Sequence, residues 1–271
     1  MTTYKMPLSG STTPLQFETF YMAAPGPDVR QKAGPHPHEA LLDPTGKFIL
    51  VPDLGADKIH IFAINAASGH LDACPDAVAD PGDGPRHAAF WSPTGNTMSA
   101  AGLKLFVLNE IGNAVSGWSV TYGGGCLSLS KTQRISTFAD GKGPPATAYN
   151  GDSFPPKAAE LRIVDNFLYA ANRNDKLFGD MTDSLAMYTL DTSGALTFVE
   201  ATSAHAFYPR SFSINKAGTY VAVGGQTGSS VSIIARDTKT GKLGALVAYA
   251  QLGAPGTYTN EDGLSSVIWV E

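Results

Sequence analysis

Pro37-His38-Glu39-Ala40-Leu41-Leu42-Asp43-Pro44-Thr45-Gly46-Lys47-Phe48-Ile49-Leu50-Val51-Pro52-Asp53 holds five features in order: a polar lead-in, a short apolar strand, an Asp-Pro-Thr-Gly turn, a second apolar strand and a closing carboxylate. The order returns elsewhere. Pro85-Arg86-His87-Ala88-Ala89-Phe90-Trp91-Ser92-Pro93-Thr94-Gly95 repeats the lead-in, strand and turn, and Lys104-Leu105-Phe106-Val107-Leu108-Asn109-Glu110 supplies its second strand. Asn166-Phe167-Leu168-Tyr169-Ala170-Ala171-Asn172-Arg173 is another second strand, and Pro209-Arg210-Ser211-Phe212-Ser213-Ile214-Asn215-Lys216-Ala217-Gly218 another lead-in and turn.

The lead-ins recur roughly every 50 to 60 residues, the scale of one β-propeller blade. Between them, residues 48–51, 58–64, 103–108, 114–120, 167–171, 184–190, 219–223 and 230–235 are short apolar or alternating runs bounded by turn residues, which predicts strands. No segment keeps a helical period over three turns. Asp191-Thr192-Ser193-Gly194 and Asp237-Thr238-Lys239-Thr240-Gly241 read as one hairpin turn used twice, with Asn65–Leu71 a looser copy. The expected fold is all-β: four-stranded antiparallel blades in a single domain over residues 1–271. Residues 1–34 form the remnant of an early blade (strand 15–22) and a loop. Residues 35–271 hold four full blades, starting near His38, Arg86, Ala158 and Arg210, and a closing strand at 264–270. Residues 96–102 lengthen a turn, and residues 134–156 read as a functional loop or lid.

Composition narrows the function classes. An apolar content of 43% with 16% charge describes a folded globular chain, and a net charge of −5 with no basic run argues against nucleic-acid binding. No run of about 18 apolar residues predicts a membrane span, and Met1–Thr13 has no signal-like apolar core, so a cytoplasmic location is expected. Cys74 and Cys126, the two cysteines, are expected to be free thiols.

In an antiparallel blade, the lead-in and the turn between the second and third strands open on the same face. That places His38, Arg86, His87 and Arg210 beside Asp53, Glu110 and Arg173. Glu110 is suited to general base, His38 to proton transfer near neutrality, and Arg86 and Arg173 to holding a carboxylate or phosphate and stabilising an oxyanion. Arg210 and His87 are further substrate-binding candidates. The competing reading is that these side chains only tie neighbouring blades together. His36 and His38 lack a third ligand with supporting spacing, so no metal and no cofactor is expected. Gly-x-Ser-x-Gly and the phosphate-binding loop are absent from the sequence. Trp91, Trp118 and Trp269 are expected in the core.

Arg30-Gln31, Pro35-His36-Pro37-His38, Asp43-Pro44-Thr45-Gly46, Gly84-Pro85-Arg86-His87, Leu108-Asn109-Glu110, Ala171-Asn172-Arg173 and Leu264-Ser265-Ser266-Val267-Ile268-Trp269, in this order, resemble the seven-bladed β-propeller lactonase family. That family includes 6-phosphogluconolactonases and fungal 3-carboxy-cis,cis-muconate lactonizing enzymes. The resemblance runs from about Leu15 onward. It implies a metal-independent site of one His, two Arg and one Glu, which fall on His38, Arg86, Glu110 and Arg173. Seven blades of roughly 45 residues need over ~300 residues, and the chain has 271. The resemblance therefore implies that early N-terminal blades are lacking, leaving an open arc whose strand edges favour self-association.

Three functions are consistent with this sequence. The first is hydrolysis of a small anionic, 6-phosphogluconolactone-like lactone by general acid/base catalysis. The second is the cyclase reaction on a carboxymuconate. The third is an inactive or binding-only shortened propeller. No nucleic-acid or membrane partner is expected.

Overall fold

Asp43 shows how the repeated turns are built. Its buried carboxylate accepts hydrogen bonds from the backbone N–H groups of Thr45, Lys47 and Phe48 at 2.8–3.0 Å and from the Thr45 hydroxyl at 2.7 Å. Burial alone would raise this carboxyl's pKa, but those donors outweigh it and hold it below the usual carboxylate range. Gly46 supplies the left-handed backbone (φ 70°) that the turn needs. Asp191, Asn215 and Asp237 bind their own turns through the same local side-chain-to-backbone bonds.

The computed structural model describes residues 1–141, 143, 155–257 and 259–271. β1 (Thr2–Tyr4) pairs antiparallel with β2 (Pro14–Phe17). Four four-stranded sheets follow, each in simple up-and-down order. The first is β3 (Leu41–Leu42), β4 (Phe48–Asp53), β5 (Lys58–Ile64) and β6 (Leu71–Val78). The second is β7 (Pro85–Trp91), β8 (Lys104–Asn109), β9 (Ala114–Gly123) and β10 (Cys126–Ser136). The third is β11 (Lys157–Val164), β12 (Phe167–Arg173), β13 (Ser184–Leu190) and β14 (Leu196–Ser203). The fourth is β15 (Pro209–Ile214), β16 (Tyr220–Gly225), β17 (Ser230–Arg236) and β18 (Leu243–Gln251). Each sheet joins a lead-in strand, two inner strands and an exposed last strand, as the repeat predicts.

The chain divides into two compact units, Met1–Ile111 with Gly117–Thr132, and Gly112–Ser116 with Gln133–Glu271. In the first, Phe48, Leu50, Ile59, Ile61, Leu105, Val107 and Trp118 pack into one cluster, and Val51, Phe62 and Leu71 into another. Leu50 and Val51 are neighbours on β4 yet both are buried, so this sheet is covered on both faces. That explains why its strands read as continuous apolar runs rather than as alternation. In the second unit, Tyr169, Leu185, Met187, Phe212, Val223 and Ile234 form the main cluster. Gly241 packs here as well: a Cβ on it would collide with the Phe167 ring. Trp91 and Trp118 are buried as expected, whereas Trp269 is half-buried and donates to the Ser213 carbonyl at 3.1 Å.

Two expectations are corrected. Cys74 and Cys126 are joined in a disulfide with Cα atoms 5.8 Å apart, not left as free thiols. They lie 52 residues apart, on β6 and β10, and no local spacing announces a pair that meets only through the packing of two last strands. Residues 264–270 form no ladder strand; their contacts are isolated, from the Leu264 N–H to the Gln226 carbonyl, from the Val267 N–H to Ser211 Oγ and from the Trp269 indole to the Ser213 carbonyl. Of the expected lid, residues 134–136 extend β10, and residues 142 and 144–154 lie outside the described residues.

Candidate active site

The Pro-Arg motif is a β-bulge. Pro85 pairs with Asn109 and His87 with Leu108, so Arg86 is the extra residue between them. Pro209 and Ser211 pair with Gly225 and Gly224, and Arg210 is extra in the same way. Proline opens the strand where its missing N–H costs no ladder bond, and the bulge re-aims the arginine that follows. The residue before each proline has left-handed backbone: Gly84 at φ 63° and Tyr208 at φ 59°.

Within the first unit, Arg86 is 1% exposed, and its Nε lies 2.7 Å from Glu110 Oε2. Glu110 follows β8, and its backbone N–H donates to the Gly84 carbonyl at 2.8 Å. Arg86 Nη1 lies 3.2 Å from His87 Nε2. The His87 ring stands edge-on to the His38 ring, centroids 5.0 Å apart. His38, His87, Arg86 and Glu110 thus form one continuous group. The long turn at residues 96–102 lies at the far end of β8 and leaves the pairing of Glu110 with Arg86 intact.

Several residues that the sequence did not single out hold this group. The Glu39 carboxylate accepts from the Ala88 N–H at 2.7 Å, tying the first lead-in to β7. The buried Asp57 carboxylate accepts from Gly82 N–H, Gly84 N–H and Gln31 Nε2 at 2.7–2.8 Å. Asp53, expected at the catalytic face, anchors the lead-in instead. Its Oδ1 accepts from the His36 and Ala56 N–H groups, and the His38 N–H donates to the Pro52 carbonyl. Asp53 Oδ2 lies 3.3 Å from His60 Nε2, whose Nδ1 lies 2.9 Å from Asp76 Oδ1. Burial works against charge on Asp53 and on His60, but their mutual hydrogen bond, with Asp76 on the far side, prevails: the carboxyl is held low and the imidazole raised.

The second unit carries Arg173 and Arg210. Arg173 ends β12, is 1% exposed, donates from Nη2 to the Ala158 carbonyl at 3.2 Å, and places its guanidinium 5.3 Å over the Tyr208 ring. Arg210 Nη1 donates to Glu261 Oε2 at 3.1 Å, and Arg173 Nη1 lies 3.7 Å from the same oxygen. Lys157 Nζ pairs with Glu261 Oε1, to which the Tyr208 hydroxyl donates at 3.2 Å. Beneath them the buried Asp183 carboxylate accepts from the N–H groups of Asn174, Lys176 and Tyr208 at 2.7–2.9 Å, as Asp57 does in the first unit. Asp175 lies beside it, accepting from the Ser184 hydroxyl. Burial raises both carboxyls, and the Asp183 charge raises Asp175 further. The sequence did offer a signal for Tyr208, which holds the Gly84 position of the repeat; Glu261 lies outside every repeated strand and gives none.

Among the described residues, no three His, Cys, Asp or Glu side chains are placed to hold a metal ion. The chemistry on offer is proton transfer by carboxylate and imidazole beside guanidinium groups.

Residues 1–260 match the family described as lactonase, seven-bladed β-propeller. The chain belongs to that family. A probable 6-phosphogluconolactonase of Arthroderma benhamiae is 33% identical over 238 residues, covering 87% of this chain and 56% of the relative. A 6-phosphogluconolactonase of Formosa agariphila is 27% identical over 77% of this chain and 53% of its own length. The chain thus spans about half the length of the curated relatives it matches. Among solved structures, a periplasmic gluconolactonase of Pseudomonas aeruginosa superposes with a TM-score of 0.73 at 26% identity, over 94% of this chain and 64% of that one. A putative 6-phosphogluconolactonase of Bacteroides fragilis gives 0.71 at 25% identity, over 93% and 65%. Membership in the lactonase family accounts for the all-β architecture of repeated four-stranded sheets.

Proposed function

We propose that this protein hydrolyses a small anionic lactone of the sugar-acid type by general acid/base catalysis. The observation that carries the reading is the buried Arg86–Glu110 pair, 2.7 Å long, joined through His87 to His38 in a chain of the lactonase family. Glu110 takes a proton from water as its oxygen bonds to the lactone carbonyl carbon. Arg86 stabilises the oxyanion that forms. The carbonyl then re-forms, the ring C–O bond breaks, and His38 gives the leaving oxygen its proton. His87 keeps Arg86 and His38 in register. Within the second unit, Arg173 and Arg210, with their planar donor forks, are proposed to hold anionic oxygens. The names of the lactonase relatives support a gluconolactone skeleton.

The Cys74–Cys126 disulfide supports an oxidising compartment in place of the expected cytoplasm. The exposed last strand β18, with Leu246, Val247 and Tyr249 at its surface, is the edge proposed for self-association.

The test is turnover in heavy-oxygen water with 6-phosphogluconolactone and a carboxymuconolactone. Heavy oxygen in the product carboxylate of the sugar lactone is the expected result. Interconversion of carboxymuconate and its lactone without label would replace hydrolysis by the cyclase reaction, and a folded sample inert toward both would leave the binding-only reading.

A further inference from the structure

Asp53 divides its carboxylate between two tasks. Oδ1 accepts from the N–H groups of His36 and Ala56 at 2.8 and 2.9 Å, and Oδ2 lies 3.3 Å from His60 Nε2. The side chain is fully buried, and among the described residues His60 is its one ion-pair partner. A charge at that depth persists only where partners satisfy it. The lead-in that carries His38 hangs on this end of β4. Leu54 N–H donates to the His36 carbonyl at 3.1 Å and His38 N–H to the Pro52 carbonyl at 2.9 Å, and Asp53 adds the side-chain tie to His36. The fit is close: a Cβ on Gly55 would collide with the Gly34 carbonyl and lie 2.9 Å from the His36 nitrogen.

His60 holds Asp53 from the neighbouring strand. Its Nδ1 lies 2.9 Å from Asp76 Oδ1, so each ring nitrogen faces a carboxylate oxygen. Only an imidazolium has an N–H for both. A neutral ring has one proton for two acceptors. Whichever nitrogen keeps it, Asp53 then faces either a lone pair or a neutral hydrogen bond where it had an ion pair. Among the described residues, the titratable groups facing the ring are Asp53 from β4 and Asp76 from β6; Lys58, on the same strand as His60, pairs with Asp76 at 3.0 Å. From the segment after β2 comes the uncharged Phe20, whose ring covers the imidazole with centroids 4.5 Å apart. Burial works to lower the pKa of the ring, and its hydrogen bonds to Asp53 and Asp76 raise it above the usual imidazole value. The double pairing is therefore complete below that raised value and is lost as pH climbs through it.

We propose that His60 is a positioning residue for His38: through Asp53 it holds the 36–38 lead-in firmly while its ring carries two protons, and loosens that hold when the ring gives one up. The action runs from the imidazole to the Asp53 carboxylate and on to the His36 backbone. Treating His38 as the proton donor rests on the lactonase reading above; the charge-dependent hold on the lead-in does not. With that reading, alkaline pH lowers kcat by displacing the donor. Asp76 sets where this happens, because its charge helps to keep the imidazolium.

The test is NMR on the full chain across a pH titration. The ring protons of His60 report its charge. The protection of the His36 and Ala56 amides from hydrogen exchange, relative to the intrinsic rate at each pH, reports the hold of Asp53. That protection is expected to fall about tenfold as His60 loses its proton, the scale of exchanging a charge-assisted hydrogen bond for a neutral one or none. Asp76→Asn moves both transitions to lower pH together. His60→Gln, which keeps an amide donor without a titrating charge, leaves protection below that of the wild type at acid pH and level across the range. Protection that ignores the titration of His60 in the wild type overturns the proposal, and that measurement needs no variant to fold. With a lactone that is turned over, wild-type kcat falls on the same alkaline limb, and the limb shifts to lower pH in Asp76→Asn; a limb that stays in place overturns the link to His38. If protection follows His60 while no lactone is turned over, the hold on the lead-in stands and the lactonase reading falls.

Discussion

Removing the Cys74–Cys126 disulfide tests the packing of the first unit. The bond joins β6 to β10 across 52 residues of chain. In the chain-entropy treatment, opening a loop of that length releases about 4 kcal/mol of constraint on the unfolded state. Cys74 is 8% exposed and belongs to the cluster of Leu50, Ile61, Leu105 and Trp118, with Cys126 packed against it. Replacing both with alanine therefore also loses some sulfur contact, while serine would add hydroxyls to an apolar layer. The Cys74→Ala/Cys126→Ala protein is expected to lose about 2–4 kcal/mol, a fall in Tm of about 10 °C for a chain of this size. The assay is a thermal melt followed by circular dichroism, with the wild type run with and without reductant. Reduced wild type should melt well below the oxidised protein and slightly above the double variant, which has also lost the sulfur contacts. An oxidised sample whose melt is unmoved by reductant, or mass spectrometry showing two thiols after purification from an oxidising compartment, would refute the reasoning.

Three further outcomes follow from buried polar groups. Asp175 and Asp183 have raised pKa values, so from about pH 4 upward the folded chain keeps a proton that the unfolded chain has released; stability falls with rising pH by up to about 1.4 kcal/mol per pH unit while that difference lasts. Asp175→Asn should flatten that slope in urea titrations between pH 4 and 7, and an unchanged slope would count against the shared burial of the pair. His60 runs in a window set by its own raised pKa: its interaction with Asp53 and Asp76 is complete below about pH 6.5 and is lost as pH rises through the higher folded value, so His60→Gln should lower stability more at pH 6 than at pH 9. Tyr169 donates to the Gly241 carbonyl and accepts from Arg236 Nε at 2.7 Å, all buried; Tyr169→Phe should cost about 1–3 kcal/mol in chemical denaturation, and a neutral result would mean that Arg236 finds another partner.

The repeat was legible because its punctuation is local. Asp43-Pro44-Thr45-Gly46 closes a hairpin through bonds within five residues, and Pro85-Arg86 and Pro209-Arg210 announce bulges by proline at a strand start. Glu110 and Arg86 were legible as a set for the same reason: each sits at a fixed place in a repeated unit, and the fold brings those places together. What escaped depends on long-range packing. Cys74 and Cys126 meet only once two last strands lie side by side. Asp57 and Asp183 look like ordinary turn acids, and their role lies in accepting backbone N–H groups from the next lead-in, 25 residues on in each case. Asp53 lies at the end of β4, as the strand pattern implies, but that pattern says nothing of His60 reaching it from the neighbouring strand. Glu261 reaches its cations from a segment with no repeat pattern at all.

Arg86 and Glu110 are proposed to open a lactone ring. Glu110→Gln keeps the shape of the side chain and its reach to Arg86 while removing the base. In a pH-stat assay with 6-phosphogluconolactone, the wild type is expected to release acid above the spontaneous rate, and Glu110→Gln to lose about 100-fold or more in kcat with its fold intact. A folded Glu110→Gln protein that hydrolyses the lactone at the wild-type rate would contradict the account.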